Sequence, residues 1–224
     1  MDKSEYQKTI DYIFALIESG MIKNGDQLPT ERSFSERLGI SRNSIREALR
    51  TLENLGLVEC RQGSGTYLTD HVSETFTKTI NIMLMLKHTT KAEICTFRRH
   101  MEKAVCSYII SSGCSKEHQD TISSSLAKLL DADDIHSLVQ ADTEFHYALI
   151  NATENSFMTT IMDSVSDVYR KWIDEMQTLC PEELRPELIE CHKKIAEGIL
   201  SGDYKACVKA IDRHYDIVDS ISPL

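Results

Sequence analysis

Asp142 and His146 stand four residues apart in a stretch whose apolar residues, Leu138, Phe145 and Leu149, recur at helical spacing. At roughly 100° per residue, that spacing brings the carboxylate and the imidazole to within about 40° of each other on one helix face. The face is the apolar one. His192 likewise shares a stripe with Leu188, Ile195 and Ile199, and His214 shares one with Cys207, Ile211 and Val218. Three histidines and one aspartate, from three helices, are thus expected to point inward. Burying four such groups without partners is costly. One divalent cation satisfies them together. Imidazole plus carboxylate suits zinc first, with nickel, manganese and iron as alternatives. A single histidine on an apolar face is more often a hydrogen-bonded core residue than a ligand, and spacing alone leaves both readings open for this set. His71, His88, His100, His118 and His136 share no comparable pattern. Arg98 falls on the inward stripe of Ile94, Met101 and Val105. A buried guanidinium needs an anion, either Glu102 one turn on or a bound acid.

A second chemistry lies near the start of the chain. Between Arg32 and Arg50 there are five Arg and two Glu, a local excess of positive charge in an acidic protein. A short helix capped by Thr30 is expected to stop at Gly39. After the turn Gly39-Ile40-Ser41, a longer helix capped by Ser41 runs to Leu55 and is stopped by Gly56. This is a helix-turn-helix, with Leu38, Ile40, Ile45 and Leu49 facing inward. The second helix opens with Ser41, Arg42, Asn43, Ser44 and Arg46, the polar and cationic side chains that base edges and phosphates require. Residues 57–60 and 66–69 read as two short strands around a tip at Gln62 and Gly63, a wing whose glycine allows close backbone approach to DNA.

The elements that position these groups are mostly helices. The chain has 224 residues, 41% hydrophobic and 27% charged, with only 4 Pro and 9 Gly, a globular and helix-rich composition. A first helix is expected from Ser4 to about Ser19, with Tyr6, Ile10, Ile13, Phe14 and Ile17 on one stripe. After residue 70, helices are expected near 72–87, 90–112, 116–130, 134–150, 156–179, 187–201 and 204–220. Ser115, Asn155 and Asp203 are expected caps, and Pro181 and Pro186 a break. The fold class is therefore mainly α: an N-terminal winged helix-turn-helix with a small two-stranded wing over 1–70, then an all-α bundle over 71–224. No apolar run approaches the roughly 20 residues that span a bilayer, so no membrane partner is expected. Seven Cys without a CxxC pair argue against a disulfide framework or zinc ribbon and for a reducing cytoplasm. The net charge of −10 disfavours bulk coating of nucleic acid but leaves room for a local basic reading head.

The residues Leu28-Pro29-Thr30-Glu31-Arg32, Leu38-Gly39-Ile40-Ser41-Arg42, Ile45-Arg46-Glu47-Ala48-Leu49 and Gly63-Ser64-Gly65-Thr66 resemble the winged-helix domain of the GntR family of bacterial transcription regulators, over about residues 8–69. The resemblance implies that Arg32, Arg42 and Arg46 contact phosphate or guanine. It implies that Ser41, Asn43 and Ser44 touch backbone or base edges, and that Gln62 and Gly63 enter the minor groove. Farther on, Arg98 with Met101 and Glu102, Asp142 with His146, Asn151 to Asn155, His192 with Ile195, and His214 resemble the all-helical FCD-type effector domain of the FadR subfamily, over about 76–218. In its metal-binding members the matching Asp and three His hold a divalent ion, and small carboxylates bind beside it. The fatty-acyl branch lacks this set.

The expected protein is a homodimeric regulator, a repressor, on an inverted repeat in double-stranded DNA. It responds to a small carboxylate effector bound by Arg98 near the metal. The competing reading is a helical metalloenzyme, a hydrolase or lyase, in which the Asp/His set activates water. Four protein ligands leave few open positions for that chemistry, and no general base is placed nearby.

Overall fold

Ser4 starts the first helix by accepting the Gln7 N–H on its hydroxyl, and α1 (Glu5–Glu18) follows. Its buried line is Thr9, Ile10, Ile13 and Leu16, so the stripe is rotated from the one the sequence suggests, and Phe14 is exposed. The reason is local: the Thr9 hydroxyl donates to the Glu5 carbonyl, which satisfies it and lets a polar residue take the inner face. Thr30 and Ser41 cap α2 (Glu31–Leu38) and α3 (Arg42–Asn54), accepting from the Ser33 and Ser44 N–H groups. Gly39, at φ +66°, ends α2 in the left-handed conformation that only glycine takes cheaply. α1 and α2 both pack on α3. Ile13, Phe34, Ile45 and Leu52 are sealed between them.

The wing is an antiparallel pair, β1 (Val58–Arg61) and β2 (Gly65–Leu68), with Val58 opposite Leu68 and Arg61 opposite Gly65. Both strands lie within a residue of the expected positions. Gln27 supports the tip from below by donating to the Ser64 carbonyl at 2.6 Å. Gly65 lies at φ +126°, a conformation that favours glycine, and a Cβ there would push the Gln27 amide aside.

The structure, a computed structural model, describes residues 4–221, with the side chains of 169, 171 and 173–179 outside the description. It divides into two compact units, Met1–Lys78 and Thr79–Leu224. The helix α4 (Val72–Met85) runs across the division. The second unit continues with α5 (Lys91–Ser112), α6 (Lys116–Leu130), α7 (Ile135–Asn151), α8 (Ser156–Leu179), α9 (Arg185–Ser201) and α10 (Tyr204–Ile221). Among the described residues it contains helices only. Ser115, Asn155 and Asp203 each accept an N–H three residues on, as their types require. α9 begins at Arg185, earlier than expected, because Pro186 sits in its first turn, where the missing N–H has no helical partner to lose.

α10 packs on α9 and α5, and α7 on α6 and α8. Phe145, Leu149, Ile195, Ile211 and Tyr215 form the middle of one continuous core. None of the seven cysteines, all among the described residues, is in a disulfide. No helix among the described residues is long and apolar enough to cross a membrane.

Candidate metal centre and DNA-reading helix

The second unit buries an unusual group of polar side chains at its centre. Arg98 and Glu102 on α5, Asp142 and His146 on α7, His192 on α9 and His214 on α10 are all at most 7% exposed. One donor atom each from Asp142, His146, His192 and His214 lies within 4.8 Å of the others. The four residues singled out by spacing are therefore brought together, and they share a single place.

Proton accounting shows what this set is suited to hold. The His192 Nδ1–H donates to the Leu188 carbonyl at 2.8 Å. A carbonyl only accepts, so this ring has already committed the one proton that a neutral imidazole carries. Its Nε2 nevertheless lies 3.0 Å from Asp142 Oδ1 and 3.3 Å from His146 Nε2. His192 Nε2 thus turns a lone pair toward the Asp142 carboxylate. Something positive must sit among them, either a further proton or a shared metal ion. Ligands about 2.0–2.1 Å from a zinc ion lie roughly 3.3 Å apart across a tetrahedral angle, which is the separation of the two imidazole nitrogens. The donor set thus fits a divalent cation. His214 adds to the case, since its buried Nδ1 has no hydrogen-bond partner.

The electrostatics sort these groups. Burial opposes the charge on Asp142, yet the hydrogen bond from His192 and the three imidazoles hold its carboxyl well below the usual range. Burial likewise opposes Glu102, but His146 and Arg98 keep it ionised well below that range. Burial disfavours a charged His146, but Glu102 and then Asp142 outweigh it, and the net shift is upward. His214 is pushed down to about 3 by burial and by the neighbouring imidazoles. The pocket therefore keeps two carboxylates negative and His214 neutral, as metal binding needs, and favours on His146 a proton that an ion would have to displace.

Arg98 meets the anion one turn away that its position predicts: its Nη2 donates to Glu102 Oε1 at 3.3 Å. Glu102 also accepts the Tyr215 hydroxyl at 2.7 Å. Sequence reasoning registered Glu102 as a partner for Arg98 and within the FCD-like motif, and it missed Tyr215. The signal was present: Tyr215 follows His214 directly, so its ring projects from a neighbouring face of α10.

In the first unit the named side chains line the start of α3 and the wing tip. Arg42 and Asn43 are exposed, as are Gln62 and Gly63. Arg46 is held by Glu31 through two hydrogen bonds of 3.0 and 2.7 Å. Arg32 pairs with Glu36 at 2.7 Å. The Ser44 hydroxyl donates to Glu5 at 2.8 Å, and the Ser41 N–H faces the same carboxylate oxygen at 3.4 Å. Three carboxylates, from Glu5, Glu31 and Glu36, thus occupy groups expected to meet DNA. Glu31 and Glu36 lay inside the segments that drew attention to this region, and Glu5 did not.

Residues 5–68 match the family described as bacterial regulatory proteins, gntR family, and residues 93–217 match the FCD domain. The chain belongs to the GntR family, in its FCD-domain branch. The HTH-type transcriptional regulator LutR of Bacillus subtilis is 25% identical over 210 residues, covering 92% of this chain and 95% of LutR. A putative L-lactate dehydrogenase operon regulatory protein of Escherichia coli is 27% identical over 215 residues, covering 93% and 82%. Among solved structures, a GntR protein of Streptococcus agalactiae superposes with a TM-score of 0.70 at 20% identity, covering 97% of this chain and 100% of that one. At that identity the likeness is one of fold. The relatives are transcription regulators rather than enzymes, and the chain is a DNA-binding regulator, not a metalloenzyme. Within the GntR match lie all the arginines of α2 and α3 and the wing tip. Within the FCD match lie Arg98, Glu102 and the four-residue donor set.

Proposed function

We propose that this GntR-family regulator is a repressor that binds an inverted repeat in double-stranded DNA as a homodimer and senses a small carboxylic acid beside a divalent metal. Residues 1–70 form the DNA-binding part, with Arg32, Ser41, Arg42, Asn43, Ser44, Arg46, Gln62 and Gly63 at the duplex. Residues 71–224 form the effector-binding and dimerisation part. It acts in the cytoplasm, where free cysteines stay reduced.

The observation that carries the sensing half is the buried convergence of Asp142, His146, His192 and His214 within 4.8 Å. These residues would hold the metal, zinc first by ligand type, with nickel, manganese or iron as alternatives. When bound, the ion supplies a Lewis-acidic charge that attracts a carboxylate or hydroxyl oxygen. Arg98 supplies a second, fixed positive group for the same acid. One relative's name ties it to an L-lactate dehydrogenase operon, and lactate is a hydroxy acid of the class this chemistry suits. Binding that favours one disposition of the two reading heads is enough to couple acid to operator.

The test is metal analysis of the purified protein together with a thermal-shift screen of carboxylates and an operator-binding assay. One metal per chain, and an acid that both stabilises the protein and weakens operator binding, are expected. A protein that takes up no metal at neutral pH yet still answers an acid normally returns the histidines to hydrogen-bonded core.

A further inference from the structure

The four donor residues account for the ligand atoms but leave Glu102 without a role. Its side chain is 4% exposed, and its Oε1 lies at a junction. It accepts from Tyr215 at 2.7 Å and from Arg98 at 3.3 Å, and it stands 3.2 Å from His146 Nδ1. We propose that Glu102 is a positioning residue that fixes His146 as a metal ligand and ties the metal to Arg98. The proposal rests on the metal reading above and adds a residue outside the donor set.

A neutral imidazole has one N–H. With that proton on Nδ1, facing Glu102, His146 offers the Nε2 lone pair toward Asp142 and His192. With the proton on Nε2, the ligand position is blocked. Leu188 fixes the proton of His192 in this way through a carbonyl. Glu102 does it for His146 with a full negative charge, which also makes the ring a better donor to metal. The 3.2 Å separation is within hydrogen-bond reach, but the ring N–H is not aimed along it. On this proposal the ring turns to complete the contact when the metal is held.

The same oxygen serves Arg98, and this makes Glu102 more than a tautomer lock. An acid that draws the guanidinium toward itself loosens its hold on Oε1, which leaves more of that charge to His146. Acid and metal then strengthen each other's binding, and the linkage is reciprocal.

The experiment is titration with cobalt(II), followed by its visible absorption, of wild type, Glu102→Gln, Arg98→Met and the double variant. Glu102→Gln is expected to bind cobalt about 10- to 100-fold more weakly, the size of effect typical of outer partners of a ligating histidine. At saturation its absorption band is unchanged, because the ligands are the same. Arg98→Met is expected to bind more tightly than wild type by a few-fold, since Oε1 is then shared with one cation fewer. The double variant is expected to bind as weakly as Glu102→Gln. If Glu102→Gln alone does not fold, Arg98→Met against the double variant makes the same comparison with the buried charges removed together. Cobalt affinity in Glu102→Gln within threefold of wild type overturns the inference and leaves the metal reading standing. An equal loss in Arg98→Met also overturns it, by showing the pair to be mere scaffolding. A wild-type protein that takes up no cobalt or zinc overturns the metal reading, and this inference with it.

Discussion

The two units use the same chemical vocabulary, carboxylates beside cations and hydroxyls, and differ in how much water surrounds it. In the first unit the Arg46–Glu31 pair has side chains 48% and 35% exposed. In the second, the Arg98–Glu102 pair has side chains 3% and 4% exposed. Exposed pairs are held weakly, because water competes for both partners. Arg46 is thus restrained in direction and still free to exchange Glu31 for a phosphate or a guanine edge. Buried pairs cannot be opened cheaply, because removing one partner strands the other in low dielectric. The bundle therefore yields a buried partner only to an ion or an acid that takes its place. A reader of DNA needs exchangeable charges, whereas a sensor of one small molecule needs fixed ones.

The largest effects test whether the two units are separate in stability. Phe34 seals the first core, and Phe145 packs edge-on against His146 and His192 at 5.8 and 5.2 Å. Phe34→Ala and Phe145→Ala should each cost about 3–5 kcal/mol in the unit that holds them. Two calorimetric transitions are expected. Phe34→Ala should lower the one linked to operator binding, and Phe145→Ala the one linked to metal uptake. A single transition lowered alike by both changes would end the comparison.

Next comes the metal. Removing a ligand with His192→Ala should lower metal affinity by about a hundredfold or more, beyond what outer partners carry. Metal content and response to the acid should fall together. Elemental analysis after dialysis at neutral pH checks the first, and operator titration with and without the acid checks the second. Full metal content in this variant would remove His192 from the site.

In the reading head the effects are smaller. Arg42→Ala and Arg46→Ala should each weaken specific operator binding by roughly ten- to a hundredfold if they read bases. Arg46 carries a further consequence. Its loss frees Glu31, whose carboxyl the arginine now holds below the usual range, and that leaves a bare carboxylate beside the duplex. Glu31→Gln in the Arg46→Ala background should recover part of the affinity. Gel-shift measurements at matched salt decide it, and no recovery would show that Glu31 only orients the arginine.

Much of this contrast is legible in the sequence. The capping residues Thr30, Ser41, Ser115 and Asn155 start helices where their types say they should, because a cap is a local hydrogen bond within four residues. Asp142 and His146 could be paired from one helix alone, and His192 and His214 from their apolar neighbours. What stayed hidden was non-local or finely rotational. Thr9 can take the inner face because its hydroxyl bonds the Glu5 carbonyl, while Phe14 stays exposed, and periodicity does not weigh such a bond. Glu102 meets Tyr215 across 113 positions, and Ser44 meets Glu5 across 39. No spacing rule reaches that far.

The smallest expected effect sharpens the comparison most, because it concerns a charge that should resist function mildly. Glu5 lies at the start of α1, and its carboxylate occupies the N-terminal end of α3 through Ser44 and the Ser41 N–H. These are the groups assigned to DNA, so the carboxylate competes with the duplex for them. Glu5→Gln keeps an acceptor for the Ser44 hydroxyl and drops the charge. DNA binding should tighten by roughly two- to fivefold at low salt, and the gain should shrink as salt rises, since exposed charges are screened. The sign with pH follows from the same contacts. Hydrogen bonds from Ser44 and then from Ser41 hold the Glu5 carboxyl below its ordinary value of 4.5. Its contribution to tying α1 to α3 is therefore fully present above that ordinary value and is lost as pH falls through the lower, folded one. Wild type should lose a little reading-head stability over this acid range that Glu5→Gln does not. Operator titrations at two salt concentrations, with melting curves between pH 3 and 6, read both effects. Weaker DNA binding by Glu5→Gln would show that the carboxylate orders the start of α3 for the duplex, and would make it a support where a competitor is expected.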